Sequence, residues 1–269
     1  MKHFQWDAVS KVKLRKYAKL HQKKQRDREG LFLAEGLRTV RELCQNLPDE
    51  DMLVALLIRE SESADIRFAE AYSGKAFSIS EKECLLLAQT TTPQGIFGVF
   101  RQQRKLESFD EAGGGLQGSS FIVALDDVQD PGNVGTILRT AAWFGIDAVI
   151  CSLGTADRYN AKALRASAGS IFAASHYEAE LLIAELKRLK SLGYCIVSAS
   201  LDGKDFREFS SRPEKQVLVI GNEANGVSKQ IHDLSDRLVK IPHGGKKTRV
   251  ESLNAAVSAA ILIERLMIF

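Results

Sequence analysis

The chain has 269 residues, 45% of them hydrophobic and 26% charged, with a net charge of +3. That length fits one large or two modest domains, and the balance is ordinary for a globular protein. No apolar run approaches the ~20 residues that span a bilayer, and Met1-Lys2-His3-Phe4-Gln5-Trp6-Asp7 holds no apolar signal core, so a cytoplasmic protein is expected.

Residues 1–30 carry ten Lys/Arg against three Asp/Glu, a net of +7, which leaves −4 for the rest. Lys13, Arg15, Lys16, Lys23, Lys24 and Arg26 belong to this stripe. It would attract a polyanion and neutralise several phosphates, or else serve as a solvated helix face. Residues 10–29 read as helical. Leu31-Phe32-Leu33 is a short apolar run, Gly36 turns the chain, and Leu37–Cys44 has the spacing of an amphipathic helix. Strands are expected at Leu53–Ile58, Phe77–Ile79 and Ile96–Phe100, with a helix at Ile66–Ala71. These make a small α/β domain over 1–101.

Residues 102–120 read as a linker, with Gly113-Gly114-Gly115-Leu116-Gln117-Gly118 at its centre. The glycines fit the dinucleotide fingerprint G-x-G-x-x-G, but they precede a strand and open no helix, so that reading fails. From 121 to 269, strands at Phe121–Leu125, Ala148–Cys151, Tyr194–Ala199, Val217–Ile220 and Leu238–Ile241 alternate with helices. The helices are Val134–Phe144, Ala161–Ala168, Glu178–Leu192 and Ser252–Ile268. Apolar strands between helices predict an α/β domain, a mainly parallel sheet covered on both faces. Cys44, Cys84, Cys151 and Cys195 are scattered, as reduced thiols are, and neither they nor the five His have metal-ligand spacing. No metal is expected.

Three stretches sit where a strand-like run meets a loop or helix. The first is Asp130-Pro131-Gly132-Asn133-Val134-Gly135, running on to Arg139. Asn133 there fits a helix cap as well as a reacting group, and Arg139 fits a plain surface position on a helix. The second, Gly221-Asn222-Glu223-Ala224-Asn225-Gly226-Val227-Ser228, is nearly a phosphate loop. Val227 stands where the phosphate-binding Lys belongs and Glu223 would repel phosphates, so an ATPase is a poor reading. The third, Ser252-Leu253-Asn254, opens the last helix with Ser252 as a candidate cap.

In this order and spacing the three stretches resemble the signature motifs of the SpoU-type RNA 2′-O-ribose methyltransferases of the SPOUT superfamily. The resemblance covers 121–269 and includes Asn160–Gly169. Residues 10–42, with Leu33-Ala34-Glu35-Gly36, are similar to the family's N-terminal substrate-binding domain, itself similar to RNA-binding ribosomal proteins. The resemblance implies a C-terminal trefoil knot, S-adenosylmethionine as cofactor, and a homodimer formed through the catalytic domain. It implies cofactor contacts from Ser198, Ala199, Ser200, Leu201, Gly221, Asn222, Gly226, Ile241, Pro242, Ser252 and Leu253. Asn133, Arg139, Glu223, Ser252 and Asn254 would form the reaction centre. RNA would meet the N-terminal stripe and Lys246, Lys247 and Arg249, in a loop over 243–251 longer than family members often have.

The nucleophile would be a ribose hydroxyl. Arg139 would make an awkward base, because guanidinium stays protonated in proteins. It would instead donate hydrogen bonds to the developing alkoxide, with Glu223 and Asn133 positioning it and the ribose. Ribosomal RNA is the favoured substrate over transfer RNA. A non-catalytic RNA-binding or ribosome-assembly protein, or a base methyltransferase, are the alternatives.

Overall fold

In the computed structural model, residues 6–59, 66–103, 121–173, 175–209, 213–244 and 251–267 are described. Contacts divide the chain into two compact units. One comprises Met1–Arg104 and Asp157–Phe172; the other comprises Lys105–Ala156 and Ala173–Phe269.

The first unit is built on a four-stranded sheet, β1 (Leu31–Glu35), β2 (Leu53–Arg59), β3 (Ala76–Ile79) and β4 (Ile96–Arg101), in the order β1-β4-β2-β3. Strand β4 is antiparallel to both β1 and β2, while β2 and β3 are parallel. Alternation along the strands gives the sheet two apolar faces. Leu31, Leu33, Ala55, Leu57, Phe97 and Val99 pack against Leu14, Tyr17 and Leu20 at the N-terminus and Cys84 and Leu87 of Glu81–Leu87. On the other face, Phe32 stacks on Phe100, with ring centroids 5.3 Å apart, and on Tyr159 at 4.7 Å. Phe172 closes the same cluster. Residues 157–172 lie inside the sequence-expected 121–269 domain, yet they complete the core of the first unit. The basic segment is not one helix. It is α1 (Lys11–Ala18), a 3-10 turn at Lys19–His21 and α2 (Lys23–Glu29), closed by Gly30 at φ +62°.

The second unit holds six strands, all parallel: β5 (Phe121–Asp126), β6 (Ala148–Ser152), β7 (Ser175–Ala179), β8 (Cys195–Asp205), β9 (Gln216–Gly221) and β10 (Arg237–Lys240). The spatial order is β10-β8-β9-β5-β6-β7. The chain enters in the middle, builds outward through β6 and β7, then crosses to the other side. The order therefore reverses at the β9–β5 pair, and in open α/β sheets ligands bind outside the carboxyl ends at such a switch point. Ile122, Ala124, Val217 and Val219 face Leu182, Leu186 and Leu189 of the helix Leu182–Ser191 and Ile231 of Lys229–Leu234. The opposite face carries the helices Pro131–Trp143 and Ala255–Met267, which pack on each other. No helix among the described residues is long and apolar enough to cross a membrane.

Two elements differ from the sequence expectation. Ser175–Ala179 is a strand, and the helix expected from Glu178 begins at Leu182. This strand is at the sheet edge and half-exposed, so Ser175-His176-Tyr177-Glu178 needs no apolar run.

Candidate active site

Strand β5 ends at Asp126, paired with Gly221 at the end of β9. Pro131 supplies the first helical position, preset for helix entry and needing no N–H bond. Asp130 caps that helix, its Oδ1 accepting from the N–H groups of Gly132 at 2.6 Å and Asn133 at 3.3 Å. Asn133 is thus inside the first turn rather than the cap. Its side chain is free for another task, and it is buried.

That task is a bond to Glu223. The Asn133 Nδ2 donates to Glu223 Oε1 at 2.8 Å. The same carboxylate accepts from the backbone N–H groups of Asp130 at 3.1 Å and Gln129 at 3.0 Å. Burial works to raise the Glu223 pKa, but the Asn133 amide and these backbone donors outweigh it and hold the carboxyl below its ordinary value. On the other side, Asn254 Nδ2 donates to Asn133 Oδ1 at 2.8 Å. One chain of hydrogen bonds therefore joins all three motif stretches, from Asn254 through Asn133 to Glu223. Both Asn133 side-chain atoms have defined partners, which fixes the orientation of its amide.

The last helix begins at Ala255, and its cap is Asn254 rather than Ser252. Asn254 Oδ1 accepts from Ala256 N at 2.9 Å and Val257 N at 3.2 Å. Ser252 and Leu253 are exposed just ahead of it.

The loop after β9 is self-organised. Asn222 and Gly226 exchange two backbone bonds of 2.9 Å. The Asn222 Oδ1 accepts from Ala224 and Asn225 N–H, and its Nδ2 donates to the Asp127 carbonyl at 2.8 Å. The side chain of Asn222, expected to touch cofactor, thus builds the loop that presents Glu223. Gly221 has a similar reason: a Cβ there would lie 2.2 Å from backbone atoms of Gly226 and Val227. The close approach it permits is by its own loop. Gly226 stands at φ +68°.

The other expected cofactor residues lie at the carboxyl ends of neighbouring strands. The partner of β8 shifts register between Leu238, opposite Ser198, and Val239, opposite Lys204. Residues 199–203 bow out between these positions. Ala199 and Ser200 are half-buried and Leu201 is 62% exposed. Ser198 is fully buried, and its hydroxyl meets Ser235 Oγ at 2.7 Å. That contact occupies the Ser198 side chain. Ile241 and Pro242 follow β10, half-buried.

Arg139 is exposed on the helix Pro131–Trp143 and makes no hydrogen bond or ion pair among the described residues. Six residues of helix rotate it about 240° from Asn133, and the Glu223 oxygens are committed to Asn133, Asp130 and Gln129. The expectation that Asn133 and Glu223 orient Arg139 within one chain does not hold.

Among the basic residues, Lys13, Arg15, Lys16, Lys23 and Lys24 are exposed. Lys13 sits over the Phe77 ring, and Lys16 pairs with Glu29 at 2.5 Å. Arg26 is corrected. It is 4% exposed, donates to the carbonyls of Leu20 and His21 at 2.9 Å, and pairs with Asp157 at 2.5 Å. A guanidinium so occupied braces the first unit and is not available to RNA. Lys246, Lys247 and Arg249 lie outside the described residues. The αL residue Asp127, φ +57°, was not singled out by sequence; no Gly or Asn marked the position.

A model of the SpoU rRNA Methylase family matches residues 120–264, more than half the chain. The chain belongs to the SpoU rRNA methylase family. Residues 11–98 match a second model, the MRM3-like substrate binding domain. Over 264 residues the chain is 31% identical to a 23S rRNA (guanosine(2553)-2′-O)-methyltransferase of Bacillus subtilis, spanning 97% of this chain and 98% of that one. It is 28% identical to a 23S rRNA (guanosine-2′-O-)-methyltransferase of Nitrosomonas europaea, over 72% of this chain and 74% of that one. An AdoMet-bound rRNA methyltransferase from Sinorhizobium meliloti superposes with a TM-score of 0.78 at 27% identity, covering 98% and 97% of the two chains. For this SpoU family member the comparisons thus span both units and the three motif stretches.

Proposed function

We propose that this SpoU family member transfers a methyl group from S-adenosylmethionine to a ribose 2′-hydroxyl of 23S ribosomal RNA. The observation that carries the reading is the hydrogen-bond chain Asn254–Asn133–Glu223, which gathers the three motifs at the switch point of the sheet. The 23S rRNA methyltransferases named above, matched over most of their length, support ribosomal RNA over transfer RNA. The activity then belongs in the cytoplasm, with its substrate.

The cofactor fits the donor set of these loops. Residues 199–203, 221–226 and 241–244 offer backbone groups and apolar side chains, with Leu201 and Leu253 large, apolar and 62% and 47% exposed. The 221–226 loop carries no lysine, as suits a ligand without phosphates. Leu201, Ile241, Pro242 and Leu253 would flank the adenosine, and the backbone at Gly221, Asn222, Gly226 and Ser252 would bond it. S-adenosylmethionine supplies an electrophilic methyl group when bound. The remaining work falls to the protein: holding the 2′-oxygen in line and stabilising its developing charge. Arg139 donates to that oxygen. Glu223, ionised and fully hydrogen-bonded, positions the loop and takes no proton; the hydroxyl proton leaves to water or an RNA phosphate as the methyl group is transferred and the S–CH3 bond breaks.

The same reading includes a homodimer and a trefoil knot. Arg139 lacks a partner among the described residues of its own chain, and Trp143, one turn along, is 84% exposed. Val257 on the adjoining helix is 48% exposed. A second copy packed on these two helices would cover them and set Arg139 at a reaction centre. The knot is supported by the strand order. After β10, outside β8, the chain must cross the ends of β8 and β9 to bring Asn254 to Asn133.

Mapping 2′-O-methyl sites across total RNA, with and without the gene for this protein, tests the reading. One ribosomal site should vanish on deletion and return on complementation. A lost site in transfer RNA, or none, would contradict it.

A further inference from the structure

Strand β5 ends between two neighbours, β9 on one side and β6 on the other, and the chain turns there at Asp127. Asp127 stands in the left-handed region at φ +57°; among the described residues, Ala168 is the other non-glycine to do so. An L-residue is strained there, although Asp and Asn tolerate it better than most. The Asp127 side chain is exposed, so core packing does not impose the conformation. Strain of this kind points to function when the surroundings hold it in place. Here they do. Asp127 N donates to Ser152 Oγ at 2.9 Å, at the end of β6, and Ser152 Oγ donates back to Asp127 Oδ1 at 2.5 Å. Ser152 is buried, as is Thr155, which closes the following turn onto β5 by donating to the Leu125 carbonyl at 3.1 Å. Gly154 leaves room for the carboxylate: a Cβ there would lie 2.3 Å from Asp127 Oδ1. On the opposite side, the Asp127 carbonyl accepts from Asn222 Nδ2 at 2.8 Å, just after β9.

These partners account for the strained backbone. In an extended strand, the N–H and C=O of one residue point to the same neighbour. Asp127 sends its N–H toward β6 and its C=O toward the loop after β9, so it leaves the extended region. The residues that follow serve the same loop. Gln129 N and Asp130 N donate to the Glu223 carboxylate at 3.0 and 3.1 Å. Val128 O accepts from Ala156 N at 2.9 Å, back on the β6 side. Residues 127–130 therefore form a mount for Asn222 and Glu223, and Ser152 latches its first residue.

We propose that Asp127 is a positioning residue for methyl transfer: its left-handed turn, latched by Ser152, sets the backbone groups that hold Glu223 and, through Glu223, Asn133. This rests on the methyltransferase reading and adds the residue that fixes its geometry. Full-length wild-type, Asp127→Asn, Asp127→Gly, Asp127→Val and Ser152→Ala proteins are compared by three readouts. These are the single-turnover rate with S-adenosylmethionine and a 23S rRNA transcript, the melting temperature, and the titration of Glu223 followed by NMR of its carboxyl carbon. Asp127→Val cannot hold the turn without strain and should lower the rate per folded molecule about tenfold. Its Glu223 pKa should rise toward the ordinary value as the Gln129 and Asp130 donors shift. Asp127→Asn tolerates the turn and still accepts from Ser152, so it should recover most of the rate. Asp127→Gly keeps the turn but loses the latch and should fall between the two. Ser152→Ala, which removes only the latch, should cost about three- to tenfold, and it decides the matter if Asp127→Val does not fold. A purely structural role would lower the melting temperature and leave the rate per folded molecule and the Glu223 titration unchanged; that result in Asp127→Val, or in Ser152→Ala if it stands in, overturns the inference. If the wild type methylates no RNA, the reading beneath falls, and the Glu223 titration still decides whether Asp127 sets that carboxylate.

Discussion

Asn133 has two side-chain hydrogen-bonding ends and the structure uses both, which makes the orientation of one amide a condition for the whole site. Asn254 shows how that can be tested. Asn254→Asp keeps the acceptor that caps Ala256 and Val257, but sets a carboxylate against Asn133 Oδ1. Turning the Asn133 amide to suit would point its oxygen at Glu223. Methyl transfer should therefore fall at least tenfold, while thermal unfolding shows the cap intact. Asn254→Ala should lose the cap as well, about 1 kcal/mol of stability. Equal activity for Asn254→Asp and wild type would remove the relay from the account. Arg139→Ala makes the complementary case. Exposed, and without a partner among the described residues of its own chain, Arg139 can be removed without changing the melting temperature of the fold. The single-turnover rate should drop about 10²–10³, the usual effect of losing one oxyanion donor, with Arg139→Lys recovering part. These residues were legible in the sequence through a family resemblance; their local roles were not. Asn133 and Ser252 are both good caps on paper. Asp130 took the first cap because Pro131 fixes the helix start one residue later, and Asn254 took the second because its Oδ1 reaches the next two N–H groups.

The loop after β9 is the element on which the site turns. Gly221→Ala would drive a methyl group into the backbone of Gly226 and Val227. Neither can yield cheaply, since the Asn222–Gly226 bridge closes the loop. A loss of about 1–3 kcal/mol is expected, with weaker S-adenosylmethionine binding by calorimetry if, as proposed, loop and ligand share that backbone. The same loop sets an acid limit. Glu223 has a folded pKa below its ordinary value, so its stabilising contribution is full above the usual carboxylate range and is lost as pH falls through the folded pKa. Glu223→Gln should remove this part of the acid dependence of the unfolding free energy; an unchanged profile would show that other carboxylates dominate. Apolar runs made β5, β6, β8, β9 and β10 legible from sequence. Strand β7 escaped because an edge strand exposed on one side needs no such run. The bow of β8 at 199–203 escaped too, since Gly203 passes against the Leu238–Val239 backbone and nothing local announces a close approach between distant segments.

Across the whole molecule, the contacts do not follow the linear order of the chain. Residues 157–172 stand between β6 and β7 but bury Tyr159, Leu164, Ile171 and Phe172 in the first unit. Removal of residues 1–104 would strip the partners of these side chains, each of which contributes about 1.5–3 kcal/mol when buried. The remaining fragment should aggregate or bind hydrophobic dyes in gel filtration; a well-behaved fragment with sharp near-ultraviolet dichroism would contradict this. This exchange is not legible in the sequence, because Ala161–Ser167 has the helical pattern of its neighbours and pattern does not name a partner. Arg26 is the other half of that lesson: charge placed it in an RNA-binding stripe, and its pairing with Asp157, 131 residues away, takes it out. The central claim remains the chemistry. Purified protein incubated with isotopically labelled S-adenosylmethionine and a 23S rRNA transcript, followed by nucleoside mass spectrometry, tests it most directly. The label should appear on a 2′-O-methylnucleoside, and with Arg139→Ala its rate of incorporation should fall about 10²–10³-fold. Label on a base, or no transfer by the wild type, would contradict the account.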